Sequence, residues 1–157
     1  MTKQKIIEIF HKNLKNKTRF LKFCNNNYFK YVKQEKTFQF FVVEILRENG
    51  LTVIINNFES NKTTFEQYET SYLGNERGIS DLFVTECNTS KKGCFLELKS
   101  GIEKVFTKKL ELKKDVHLTK QQNFLDKMNK VGFVAMFLYP ENIHDNFEML
   151  FNIKLKM

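Results

Sequence analysis

The chain contains 157 residues and has a mass of 18.8 kDa, which fits one domain spanning 1–157. Its 26 Lys and Arg residues outnumber its 18 Asp and Glu residues, and the net charge of +8 favours a polyanionic partner such as nucleic acid. The three cysteines match no zinc or redox spacing, so we expect a reduced, intracellular chain in the cytoplasm. No apolar run approaches the roughly 18 residues that cross a bilayer, which argues against a membrane partner.

The first predicted element is a basic amphipathic helix within about 1–24, where apolar residues recur at near-helical spacing. A second helix is expected from Glu35 to Glu48, because Asn49 and Gly50 follow as a typical helix end. The β-branched and aromatic runs that come next predict four strands, at 51–55, 65–73, 78–87 and 94–101.

The C-terminal part of the chain alternates helical and strand patterns. Residues 102–116 are highly charged and fit neither pattern, whereas 119–132 predict a helix with Thr119 as its N-cap. The apolar run 131–139 predicts a buried strand, and 146–157 fits either a helix or a strand. This order of elements predicts an α+β or α/β protein in which helices flank a mixed β-sheet.

The strand at 94–101 reads CFLELKSG and carries two charged residues inside an apolar run. Strand alternation places Glu97 and Lys99 on one face and the two leucines on the other. An exposed antiparallel strand with solvated charges would explain this pattern most simply. A second acid-x-Lys tripeptide at 111–113 lies between lysine pairs, as in a solvated loop or helix, so the context favours Glu97 and Lys99.

Asp81 interrupts the apolar run of the preceding strand and is the only aspartate in the first 114 residues. If the hairpin pairs Asp81 with Glu97, the two carboxylates fall on one face and close enough to share a divalent cation. A register shifted by one residue would place the two carboxylates on opposite faces of the sheet.

Two carboxylates and a lysine are chemically sufficient for phosphodiester hydrolysis. Oxygen ligands from Asp81 and Glu97, with the backbone carbonyl of Leu98, would hold Mg²⁺. The cation neutralises the phosphate and lowers the pKa of a bound water, and Lys99 would orient that water.

Three segments resemble the PD-(D/E)XK nuclease superfamily, closest to its VRR-NUC and archaeal Holliday-junction-resolvase branches. They read GISD, FLELKSG and LTKQQNFLDKMNKVG, and the resemblance covers about 35–138. It implies a restriction-endonuclease-like core and a DNA endonuclease that depends on Mg²⁺ or Mn²⁺. The chain as a whole also resembles small nuclease-like proteins of archaeal viruses, which would place it in the host-cell cytoplasm.

The family's roles can be carried onto matching positions of this chain. In the family, the Asp and the strand acid bind the metal, the Lys serves the attacking water, and a Gln or Lys of the following helix supports the site. The corresponding residues are Asp81, Glu97, Lys99 and Gln121, with Gln122 as the alternative to Gln121.

Two further carboxylates remain candidates. The family's first helix contributes a Glu, which matches Glu35, with Glu44 as the alternative on that helix. Glu86 lies either at the frayed end of its strand or in a second functional position, where it would complete the site in place of Asp81. The motif's proline is replaced by Ser80, which changes a backbone-shaping residue and no ligand.

The expected partner is DNA, duplex or branched, and symmetric cleavage of a junction would require a homodimer. Lysines bracket the predicted site and would contact phosphates without reading base sequence. The alternative function is a basic DNA-binding or DNA-packaging protein on the same fold that does not cleave. These lysines are Lys91, Lys92, Lys104, Lys108, Lys109, Lys113, Lys114 and Lys120.

Overall fold

The computed structural model describes residues 35–56 and 79–155. The helix predicted within about 1–24 and the strand predicted at 65–73 lie outside the described residues. The described helices are α1 (Glu35–Glu48), α2 (Val116–Lys130) and α3 (Ile143–Phe151), and a short 3-10 turn covers Ile102–Lys104. The described strands are β1 (Val53–Ile55), β2 (Leu82–Val84), β3 (Cys94–Leu98) and β4 (Val134–Leu138).

The four strands form one mixed sheet in the order β1-β2-β3-β4. β1, β2 and β3 pair antiparallel, whereas β4 pairs parallel to β3. A parallel neighbour needs a long crossover, and α2 supplies it between β3 and β4. The predicted α+β class with a mixed sheet is confirmed.

One face of the sheet packs against α1 and α3. Phe38, Val42 and Leu46 recur at helical spacing along α1 and are fully buried, which explains why this segment is helical and where it docks. They share a cluster with Leu82 and Leu96, which strand alternation places on this face.

The opposite face of the sheet packs against α2. Leu118 and Leu125 of α2 lie in a second cluster with Ala135 and Phe137 of β4. The structure is therefore layered, with α2 on one side of the sheet and α1 and α3 on the other. The residues of β3 that face α2 are Phe95 and Glu97, so the charged face predicted from the sequence is covered by a helix.

The start of α2 differs from the prediction. Asp115, not Thr119, is the N-cap, and its carboxylate accepts a hydrogen bond from the backbone N–H of Leu118 at 2.8 Å. Thr119 lies inside the helix, where its hydroxyl donates to the carbonyl of Asp115 at 2.8 Å. Both residue types cap helices well, and the carboxylate four residues earlier is the one that accepts from a free N–H group of the first turn.

The C-terminal segment, for which the sequence left helix and strand open, forms α3. Ile143, Phe147 and Leu150 face the core at helical spacing. Asn152 ends the helix in the left-handed conformation, which Asn tolerates better than most residues. None of the helices in the two described segments has the length and apolar character needed to span a membrane.

Candidate active site

The register of β2 and β3 decides whether the side chains of Asp81 and Glu97 lie on the same face of the sheet. Leu82 pairs with Leu96 and Phe83 with Phe95. Continuing this antiparallel register by one residue places Asp81 directly opposite Glu97, on the face that packs against α2.

Glu97 is the centre of a buried polar group. The residue is only 2% exposed, and its Oε1 accepts a hydrogen bond from Lys99 Nζ at 2.8 Å. The same oxygen accepts a hydrogen bond from Gln121 Nε2, on the inward face of α2. Lys99 and Gln121 are themselves buried, so three polar side chains meet in the layer between β3 and α2.

Asp81 is held at the edge of this group by the backbone. Its Oδ2 accepts a hydrogen bond from the N–H of Leu98 at 2.8 Å. Because the N–H and C=O of one strand residue point to the same side of the strand, the Leu98 carbonyl also faces the Asp81 side. Ser80, at the position of the motif's proline, is buried and donates to the carbonyl of Leu82 at 3.2 Å.

Burial and charge perturb both ionisable groups of the strand. The pKa of Glu97 is raised to about 7, first by burial and then by the charge of Asp81, while Lys99 opposes both effects. For Lys99, burial alone would lower the pKa, but the adjacent Glu97 carboxylate outweighs it and the pKa is raised. Lys99 therefore stays protonated at neutral pH, whereas Glu97 is close to half-ionised there.

Glu35 contributes to the same electrostatic environment from the first turn of α1. Its charge raises the pKa of both Glu97 and Lys99, so this exposed carboxylate lies within electrostatic range of the buried pair. The alternative on that helix, Glu44, is half-buried and lies nine residues, or about two and a half turns, after Glu35.

Glu86 lies apart from this group. It follows β2, at the end opposite to Asp81, and is exposed. Its carboxylate accepts hydrogen bonds from the backbone N–H and the hydroxyl of Thr52, both at 3.0 Å. Hydrogen bonds from Thr85 and Thr52 hold the pKa of Glu86 below its ordinary value. The structure thus brings together Asp81, Glu97, Lys99 and Gln121, and it does not bring Glu86 to them.

No protein-family model, curated protein or solved structure matches the chain. The chemistry of the site therefore rests on its own residues.

These residues suit a divalent cation. Asp81 and Glu97 offer carboxylate oxygens beside the Leu98 carbonyl, and ionising Glu97 in this buried position next to Asp81 is unfavourable even with Lys99 as its partner. Within 35–56 and 79–155, no group of three or more His, Cys, Asp or Glu side chains is arranged to hold a metal ion. The predicted set is different, since it combines two carboxylates with a backbone oxygen.

His117 is the residue of this group that the sequence did not assign to the site. Its Nε2 lies 3.0 Å from Gln121 Nε2, one helical turn along α2. Because the amide nitrogen of Gln121 can only donate a hydrogen bond, His117 Nε2 is the acceptor in this arrangement. Gln121 Oε1 is buried and has no hydrogen-bond partner among the described residues. The four-residue spacing from Gln121 was the signal available in the sequence.

Proposed function

We propose that the chain is a metal-dependent DNA nuclease of the PD-(D/E)XK superfamily with a restriction-endonuclease-like core. The observation that carries the proposal is the buried group in which Lys99 and Gln121 both donate to Glu97 while Asp81 lies opposite Glu97. An acid at the start of β2, an acid-x-Lys strand and a glutamine on the next helix are the arrangement that the sequence resemblance implies.

The proposal gives each side chain a role that follows from its contacts. Asp81 and Glu97, with the Leu98 carbonyl, would hold Mg²⁺ or Mn²⁺, and the cation would neutralise the scissile phosphate and acidify a water. Lys99 has three N–H donors, and its contact with Glu97 uses one of them. Lys99 therefore orients the attacking water or stabilises the charge that develops on the phosphate.

Gln121 positions the strand acid and offers a further polar atom. Its Nε2 donates to Glu97, which fixes the carboxylate rotamer. Its Oε1 is a buried acceptor with no partner among the described residues, and a water bound to the site would satisfy it. Glu35 adds negative charge from α1 and so raises the local attraction for a cation.

The deciding experiment measures cleavage of linear duplex, circular and branched DNA with Mg²⁺, with Mn²⁺ and with EDTA. We expect cleavage only with metal, and we expect Glu97→Gln, Asp81→Asn and Lys99→Met each to lower the rate by at least about a hundredfold. Glu148→Gln is the matched control, because Glu148 is an exposed glutamate on α3 that pairs with Lys154 at 3.2 Å.

Glu86→Gln tests the other arrangement of the site. If this variant and not Asp81→Asn abolishes cleavage, then Glu86 completes the site and Asp81 is a structural residue. Cleavage that persists in EDTA, or in a folded Glu97→Gln protein, would remove the basis of the proposal.

The second candidate is a DNA-binding or DNA-packaging protein on the same fold that does not cleave. One observation favours it, because Glu97 already has a positive partner in Lys99 at 2.8 Å. A chain that binds DNA with strong salt dependence but cuts none of these substrates with any metal would fit this candidate.

A further inference from the structure

The connection from β3 to α2 contains a short hairpin at 105–113, which we call the 105–113 hairpin. Phe106 bridges to Leu112, the N–H of Lys113 donates to the carbonyl of Val105 at 3.0 Å, and the N–H of Thr107 donates to the carbonyl of Glu111 at 2.8 Å. Val105 is fully buried, and the rings and methyls of the bridging pair pack against the cluster under α2. The base of the hairpin is therefore fixed to the core.

The tip of the hairpin holds a leucine in an unfavourable conformation. Leu110 has φ of 60°, in the left-handed region that residues other than glycine and asparagine rarely adopt. Its backbone is nevertheless fixed, because its N–H donates to the Thr107 carbonyl at 2.9 Å, and the Thr107 hydroxyl accepts from the N–H groups of Lys109 and Glu111. The leucine side chain is 70% exposed. The hydrogen bonds of the turn hold this conformation while Leu110 is left exposed, which favours a contact with a partner.

The surroundings of Leu110 are basic. Lys108 and Lys109 precede it at the tip and both are exposed. From 103 to 115 the chain has five lysines and three acidic residues, and one of these acids, Asp115, is engaged as the cap of α2. A polyanion would therefore be attracted to the same tip that presents the leucine.

The hairpin lies next to the candidate active site. The ring of Phe106 lies 6.5 Å from that of Phe137, centroid to centroid, and Phe137 is the register partner of Glu97 on the neighbouring strand. The base of the hairpin therefore packs beside the strand pair that carries Glu97.

We propose that the 105–113 hairpin is a DNA-contacting element in which the lysines bind phosphates and Leu110 inserts at a base step. Insertion unstacks the step, as apolar wedges do in proteins that bend DNA. Unstacking is easiest where a base is mismatched or unpaired, so the hairpin selects such positions. The inference rests on the proposed function, since it places the selected step near the bond that the Glu97 site cuts.

The test uses duplexes that carry 2-aminopurine, whose fluorescence increases when the base is unstacked, with EDTA present so that nothing is cut. We expect wild type to raise the fluorescence and to prefer a mismatched duplex over the matched one by about tenfold. Leu110→Asn should lose both effects while keeping its affinity for the matched duplex, because Asn tolerates the left-handed conformation and the lysines remain. Leu110→Met should restore the fluorescence, since it keeps an apolar side chain.

Two controls separate the leucine from the charge and from general apolar exposure. Met149→Gln removes another exposed apolar side chain, on α3, and should leave the fluorescence increase unchanged. Lys108→Ala with Lys109→Ala should weaken binding to matched and mismatched duplexes alike. The same double variant should reduce the salt slope by about one for each phosphate that the lysines no longer neutralise.

The outcomes distinguish this inference from the nuclease proposal. Unstacking in a protein that never cleaves would support the hairpin and contradict the nuclease. Cleavage by a protein that binds without any fluorescence change, or unstacking that survives Leu110→Asn, would overturn the hairpin and leave the nuclease intact. Absence of DNA binding would overturn both. Binding to anionic phospholipid vesicles that Leu110→Asn abolishes, without unstacking of DNA, would assign the hairpin to a membrane surface and also overturn the inference.

Discussion

Replacing Glu97 with Gln tests the candidate site through protein stability, independently of cleavage. The pKa of Glu97 rises from 4.5 to about 7 on folding, chiefly through burial and then through the charge of Asp81. One pKa unit corresponds to about 1.4 kcal/mol, so ionisation of Glu97 destabilises the folded protein by about 3 kcal/mol. Because the folded pKa lies above the unfolded one, the protein is more stable below 4.5 and loses this stability as the pH rises through about 7.

The assay is urea unfolding of wild type and Glu97→Gln at a series of pH values across this window. Wild type should lose about 3 kcal/mol relative to the variant between about pH 4.5 and pH 8. The variant also leaves Lys99 without the carboxylate that raises its pKa; burial then lowers that pKa, and the charges of Glu35 and Asp81 oppose burial. The other charges that face Glu97, from Asp81 and Glu35, are present in both proteins. A difference that does not change with pH would refute the reasoning.

Adding Mg²⁺ extends the same experiment to the metal. A cation that binds the ionised site stabilises the folded protein by about 2.7 kcal/mol at a hundred times its dissociation constant. We expect this gain for wild type and for Glu148→Gln at about pH 8, a smaller gain at about pH 5, and little for Glu97→Gln. Equal stabilisation of all three proteins, or none, would contradict a metal site at Glu97.

Three further variants test the group around Glu97. Lys99→Met should destabilise the protein by about 3 kcal/mol or more near pH 8, because it leaves a buried carboxylate unpaired, and urea unfolding would measure this. Gln121→Leu should lower the cleavage rate by about tenfold to a hundredfold and the free energy of unfolding by only about 1 kcal/mol. A loss of stability without a loss of cleavage rate would assign Gln121 a structural role. Asp115→Ala should cost about 1 kcal/mol in thermal unfolding and Thr119→Ala much less; the reverse order would mean that Thr119 is the cap.

The sequence predicted α1 and the inward face of α2 well, because long periodic patterns were present there. α1 matches its predicted bounds, Glu35–Glu48, because a wide apolar stripe and a glycine end marked it. Gln121 lies four residues before Leu125, a spacing that puts both on one face of a helix, and both residues are buried. In each case a local repeat of several residues carried the information.

Other features depended on contacts that are distant in sequence. Whether Asp81 and Glu97 share a face of the sheet depends on the length of the loop between β2 and β3. A shift of the register by one residue would have moved the aspartate to the opposite face. The 105–113 hairpin escaped prediction because only a few apolar residues anchor it, too few to form a periodic pattern. The contact between His117 and Gln121 is local to α2, but its place beside Glu97 required the position of α2 over the sheet, which no local pattern gives.

The energetics of the buried pair bear on whether it is structural or functional. A buried ion pair contributes little to stability, and well-packed apolar residues in its place are often neutral or stabilising by about 1–4 kcal/mol. Here the cost is larger than usual, because Asp81 lies opposite Glu97 and raises its pKa along with burial. A chain selected only for stability has no reason to keep a buried carboxyl that is half-ionised at neutral pH between the sheet and α2. A cation bound between Asp81 and Glu97 would compensate both charges at once, which makes this cost the strongest physical argument for the proposed site.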